Sequence, residues 1–207
     1  MKKRSSGFTV VEVLIFSAVG LMLMVLLFQL FVTATRRTED SRLKVDLQQR
    51  GLLVIREISD DLSLASLRGM TAAESGADYI FAMTPIQGRN PGQWRSNAQH
   101  LYVFRGNAKE LYWREALSSD FAEPLMSEKP YLPGPAELQQ LANSSTGKHR
   151  ILSSHVEEFS LSDRNGSKTQ FQSLPLVLDM KLRRPLSHSD RFAEFTVQKR
   201  FTLRNSY

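Results

Sequence analysis

An α+β domain built on one long amino-terminal helix is the fold class that the sequence predicts. Three observations carry it. Residues 7 to 32, GFTVVEVLIFSAVGLMLMVLLFQLFV, form an almost unbroken apolar run with a single carboxylate, Glu12, near its start. From Thr38 to Leu67 there is no proline, and apolar residues recur at helical intervals. Beyond Gly76 the pattern changes to short alternating stretches punctuated by Gly, Asn and Pro, which reads as strands and turns.

Taken in order, the apolar run comes first. Val13 to Val32 is twenty residues without a charge, and only Gln29 is strongly polar. At about 1.5 Å per residue this helix spans roughly 30 Å, one hydrocarbon core. Lys2, Lys3 and Arg4 on the leader side place that end in the cytoplasm, and the rest of the chain on the far side of the membrane. The helix is expected to continue to about Leu67. Leu43, Leu47, Val54, Ile58, Leu62 and Ala65 draw one apolar stripe, with Gly51 in its gap, and the stripe needs a sheet to lie on. Gly20 and Gly51 are soft points, each costing about 1 kcal/mol relative to Ala. The segment from Gly69 to Gly76 ends the helix.

The β region follows. YIFAM (79 to 83) reads as a short strand, and HLYVFRG and KELYWRE flank Gly106-Asn107-Ala108 as a hairpin. Residues 118 to 149 hold four prolines and read as a long irregular surface connection, with one helical turn from Ala136 to Ala142. HVEEFSLS (155 to 162) is a strand running into a turn at Asp163-Arg164-Asn165-Gly166. LPLVLDMKL (174 to 182) alternates, with Leu174, Leu176, Leu178, Met180 and Leu182 on one face; Pro175 marks an edge or a strand start. EFTVQKRFTL sets Phe195, Val197, Phe201 and Leu203 against a polar face. The strands are expected to be antiparallel.

Composition narrows the function. With 207 residues and 42% hydrophobic content the chain supports one well-buried domain plus an extra element. Loss of the three basic leader residues takes the 27 basic residues to 24, against 21 acidic, and these are scattered, so no nucleic-acid partner is expected. The absence of cysteine excludes disulfides, thiolate metal sites, a cysteine nucleophile and a lipid-attachment cysteine.

No enzyme is expected either, and no cofactor or metal. The histidines at 100, 149, 155 and 188 include no pair spaced three or four apart. Asp60-Asp61 and Glu157-Glu158 are adjacent pairs whose side chains diverge, and they read as solvated charge. Ser153-Ser154-His155 lacks nucleophile-elbow glycines. The loop 162 to 168 offers Asp163 and Asn165 but no bidentate acid for Ca²⁺, so it reads as a turn.

Three readings compete for the amino-terminal run. A secretory signal peptide would have a shorter apolar stretch, of up to about 15 residues, and no buried acid. A plain membrane anchor explains the apolar run but gives no purpose to the spacing of Gly7, Phe8 and Glu12. The third reading takes that spacing at face value. Gly7-Phe8 after a short basic leader, with Glu12 as the fifth residue counted from Phe8, resembles the type IV prepilin signal shared by type IV pilins and the pseudopilins of type II secretion.

The resemblance implies a pilin-like fold and cleavage between Gly7 and Phe8 by a membrane prepilin peptidase, which also methylates the new amine of Phe8. On this reading residues 1–7 are a removed leader, 8–35 the membrane or filament-core helix and 36–207 a periplasmic α+β domain anchored in the inner membrane. The charged amine at the head of an apolar helix then needs a partner. Glu12, about 6 Å further along the axis, is placed to meet the amine of a neighbouring subunit. An intramembrane carboxylate costs about 3 kcal/mol and marks function by default.

More weakly, REISDDL (56 to 62), LPLVL (174 to 178) and KRFTL (199 to 203) look like the J-type minor pseudopilins of type II secretion. That implies a structural subunit that begins or caps a short filament, with H-, I- and K-type minor pseudopilins and the major pseudopilin as partners. The W-type minor pilins of type IV pili share the plan. In a different class stands a single-pass anchored binding domain that never assembles.

Overall fold

Helix α1 runs without interruption from Val10 to Ser63. The structure, a computed structural model, describes residues 9–87, 93–121, 123, 125–144, 146–186 and 191–203. The chain divides into two compact units, Met1–Leu43 and Lys44–Tyr207.

In the first unit every large hydrophobic residue from Val10 to Phe31 is exposed, from 47% at Leu26 to 78% at Val10. Its hydroxyls turn inward on the helix: Ser17 donates to the carbonyl of Val13 at 2.8 Å and Thr35 to that of Phe31 at 2.9 Å. The backbone and these side chains thus satisfy one another locally, as a helix in hydrocarbon requires. Among the described residues one helix is long and apolar enough to cross a membrane.

In the second unit the predicted stripe is buried. Leu47, Val54, Ile58 and Leu62 are at most 2% exposed, each contributing about 1.5–3 kcal/mol by leaving water. The α+β arrangement is as expected: the helix packs on antiparallel sheets. A five-stranded sheet has the order β1 (Met70–Ser75), β2 (Asp78–Met83), β3 (Ala98–Arg105), β4 (Glu110–Leu117), β5 (His149–Ser154). A three-stranded sheet has the order β6 (Val156–Ser162), β7 (Leu176–Pro185), β8 (Phe192–Phe201). Helix α2, Pro135–Asn143, adds Leu138 and Leu141 to the core beside Leu101, Val103, Phe121 and Leu125.

Several expectations need correction. Helix α1 stops at Ser63 instead of Leu67, because the carbonyls of Leu64 and Gly69 accept the amides of Ile86 and Thr84, at 2.7 and 2.9 Å. Met70 to Ser75, read as helix end, is strand β1, closed onto β2 by a two-residue turn with Gly76 at φ 60°. The stretch 118 to 149 is no surface excursion, since Phe121, Leu125, Leu138 and Leu141 lie in the core; Pro124 falls outside the described residues. Residues 149 to 154 form β5, separated from β6 by His155 alone, whose left-handed φ of 64° redirects the chain from one sheet to the other. Burial first, and then the charges of Arg184 and Arg50, lower the His155 pKa. Pro175 precedes the first residue of β7 as a strand-start proline should, but β7 is the central strand of its sheet and not an edge.

Two corrections concern single residues. The loop after β6 is a turn, as read, yet Asp163 is its buried centre. Its carboxylate accepts the amides of Asn165 and Ser167, both at 2.9 Å, and the hydroxyl of Ser173 at 3.0 Å. Burial works against the charge, but these hydrogen bonds prevail and hold the carboxyl below the usual range. Gly51 is not a soft point. A Cβ there would lie 2.3 Å from the ring of Phe195, so the glycine admits β8 against the helix.

Gly51→Ala gains about 1 kcal/mol of helix propensity but forces the half-buried Phe195 ring aside, at about 1–3 kcal/mol. A net loss of about 1 kcal/mol is expected by urea unfolding of the chain in detergent. Phe195→Leu in the same chain should recover part of it, and additive effects of the two changes would refute the contact.

Candidate functional site

Gly7 and Phe8, the predicted processing residues, lie outside the described residues, as does the leader. Glu12 is in the first turn of α1, and its surroundings reveal a motif that periodicity alone does not show. The Thr9 hydroxyl accepts the amide of Glu12 at 3.3 Å, while Glu12 Oε2 accepts the Thr9 amide at 2.9 Å and its hydroxyl at 3.0 Å. This is the reciprocal capping box of a Thr-x-x-Glu sequence, and it satisfies orphan donors at the helix start. The signal was present in Thr9-Val10-Val11-Glu12, immediately before the apolar run. Both bonds use Oε2, and Oε1 has no partner among the described residues. Glu12 therefore caps its own helix and still offers an oxygen outward.

The site is an exposed apolar surface with one charge at its head. An exposed apolar cylinder starts at a capped end carrying one carboxylate, and among the described residues nothing covers the large hydrophobic side chains from Val10 to Phe31. Such a surface is stable only in lipid or against other apolar helices.

A second cluster lies in the folded domain, where α1 meets the α1-facing side of the five-stranded sheet. Asp61, read from sequence as solvated charge, accepts three side chains at one oxygen. These are the Tyr102 hydroxyl at 2.7 Å, His100 Nδ1 at 2.9 Å and Trp113 Nε1 at 3.3 Å. Alternation along β3 and β4 places all three donors on this face. Its neighbour Asp60 remains exposed. Sequence adjacency could not separate them, because only the helix phase turns Asp61 inward. Glu157, also read as solvated, pairs with Lys109 at 3.0 Å, while Glu158 is exposed. Beside Asp61 a groove of about 570 Å³ is lined by Leu53, Arg56, Trp113, Arg150 and Ile151. Arg150 closes one side, bonded to Glu57 and lying 5.5 Å from the centre of the Trp113 ring.

Asp61 meets its three donors through Oδ2 alone, and among the described residues no serine or threonine hydroxyl bonds His100. Among the described residues no group of three or more His, Asp or Glu side chains could hold a metal, and His188 lies outside them.

Burial alone would raise the Asp61 pKa, but His100, by hydrogen bond and charge, together with Tyr102 and Trp113, holds it below the usual range. A depressed carboxyl contributes its full stability above the unfolded value, about 3.9, and loses it as pH falls through the folded value. Stability should therefore drop below about pH 4, more gently in Asp61→Asn, where Asp163 alone of the two still titrates in this range. Asp61→Ala, which strands three donors, should cost about 1–3 kcal/mol at pH 7, measured by urea unfolding followed through tryptophan fluorescence. No family model, curated protein or solved structure matches the chain.

Proposed function

We propose that the chain is a structural minor subunit of a type IV pilin-like assembly, a minor pseudopilin of type II secretion. On this reading it is released from its leader between Gly7 and Phe8, and it helps to begin or cap a short periplasmic filament. The observation that carries this reading is the exposed apolar helix whose capped start bears a single carboxylate and whose continuation enters an α+β domain. An anchor needs only the apolar run. The carboxylate is what the anchor does not require, and in lipid it is costly.

The mechanism follows from charge. Cleavage gives Phe8 an ammonium group, Glu12 of an adjoining subunit neutralises it, and the apolar flanks pack in the register that this pair sets. Pairing of H-, I- and K-type partners to the folded domain would use its exposed surface, including the groove beside Trp113.

The capping box makes the electrostatic step separable from helix stability. Glu12→Gln keeps a side chain that can cap but removes the charge, whereas Thr9→Ala removes the cap, at about 0.5–2 kcal/mol, and keeps the charge. Co-purification with partner subunits should fall sharply in Glu12→Gln and little in Thr9→Ala, with membrane insertion intact in both. The reverse order would assign Glu12 to capping alone. Mass spectrometry of the native amino terminus provides a second test: a methylated Phe8 is expected. An intact Met1 would leave the chain as a single-pass anchored domain.

A further inference from the structure

The α2-facing side of the five-stranded sheet is apolar at its centre, but toward its β4–β5 end it carries Tyr112, Arg114 and His149, with Arg105 at the end of β3 beside them. These side chains, with Asn143 at the end of α2 and Ser144 just after it, line a cavity of about 280 Å³. No carboxylate is among the described residues that line it.

The acids stand behind the basic groups and are already engaged. Asp78 bonds Arg105 at 2.8 Å, Glu110 accepts the Tyr112 hydroxyl, and Asp120 accepts the Thr146 hydroxyl at 2.8 Å. Arg105 is thus neutralised, and it also holds the Ala142 carbonyl and the Asn143 side chain at the end of α2. Arg114 is different. It is only 4% exposed, its recorded bonds go to the neutral oxygens of Thr146, and its Nε has no partner among the described residues. Burying a guanidinium without a bonded anion is costly. Burial lowers its pKa against the opposing charge of Asp120.

We infer that this cavity binds a monoanionic carboxylate, with the Arg114 guanidinium as its principal anchor and His149 and Tyr112 at its wall. The planar fork of a guanidinium matches two carboxylate oxygens. A volume just under the roughly 300–1,000 Å³ of ordinary small-molecule sites admits only a small group. The three acids behind the lining disfavour a dianion such as phosphate. The same chemistry is offered by a free short-chain acid and by the carboxyl terminus of a polypeptide.

Both sources are tested on the full chain in detergent. Sodium acetate and tri-alanine are titrated against thermal unfolding at constant ionic strength, with sodium chloride and tri-alanine amide as controls. Saturable stabilisation by acetate or tri-alanine, absent with the controls, is expected. Tighter binding of tri-alanine than acetate identifies a polypeptide terminus, and equal binding a free acid. Arg114→Lys, which keeps the charge and loses the fork, should weaken binding about tenfold. His149→Ala, an exposed position that should leave the fold intact, should weaken it about threefold. Acetate no better than chloride, amide equal to acid, or affinities unchanged in both variants would overturn the assignment.

Discussion

The second half of α1 is shared by two sheets, and the folded domain depends on how it meets each of them. Toward the five-stranded sheet the contact is polar: Asp61 gathers the donors of His100, Tyr102 and Trp113 at one oxygen. Toward the three-stranded sheet it is steric, with the Phe195 ring seated on Gly51 and Leu182 beside it. The three-stranded sheet adds polar links to α1, including Lys199 to the Ser59 hydroxyl at 3.0 Å and Arg184 to Asp46 at 3.6 Å. The apolar stripe supplies most of the free energy, but it would tolerate sliding. The carboxylate and the missing side chain fix the position along the helix.

The sequence reveals the structure where a single period runs long enough to be counted. The buried stripe of α1, the hairpin of β3 and β4, and the alternation of β7 and β8 all follow from side-chain geometry along a regular backbone. It fails where the information is not periodic. Strand β1 is built of Met, Thr and Ala, with too little bulk to announce a strand, although the glycine at 76 was a usable turn signal. Strand β5 is short and largely exposed, and its separation from β6 rests on the backbone angle of one histidine. The core role of residues 121 to 141 was hidden by prolines that suggested irregularity without indicating depth.

The candidate site was legible to a similar extent. Glu12 stands out because an acid in an apolar run is conspicuous, and the reading of it as an interface group needs no structure. Its bond with Thr9 needed only a look at the residue three places back. Asp61 was beyond reach: nothing in Asp60-Asp61 says which carboxylate faces inward until the helix is docked. Arg114 was likewise invisible, because its burial is set by α2 and the Thr146 loop closing over the sheet.

The start of α1 is fixed by two side chains that both belong to the apolar segment itself, Thr9 and Glu12. Their reciprocal bonds cap the backbone there. Loss of the preceding residues would alter the electrical character of that end while leaving its coil wound. Shape would be inherited from within, and only charge would be set by processing.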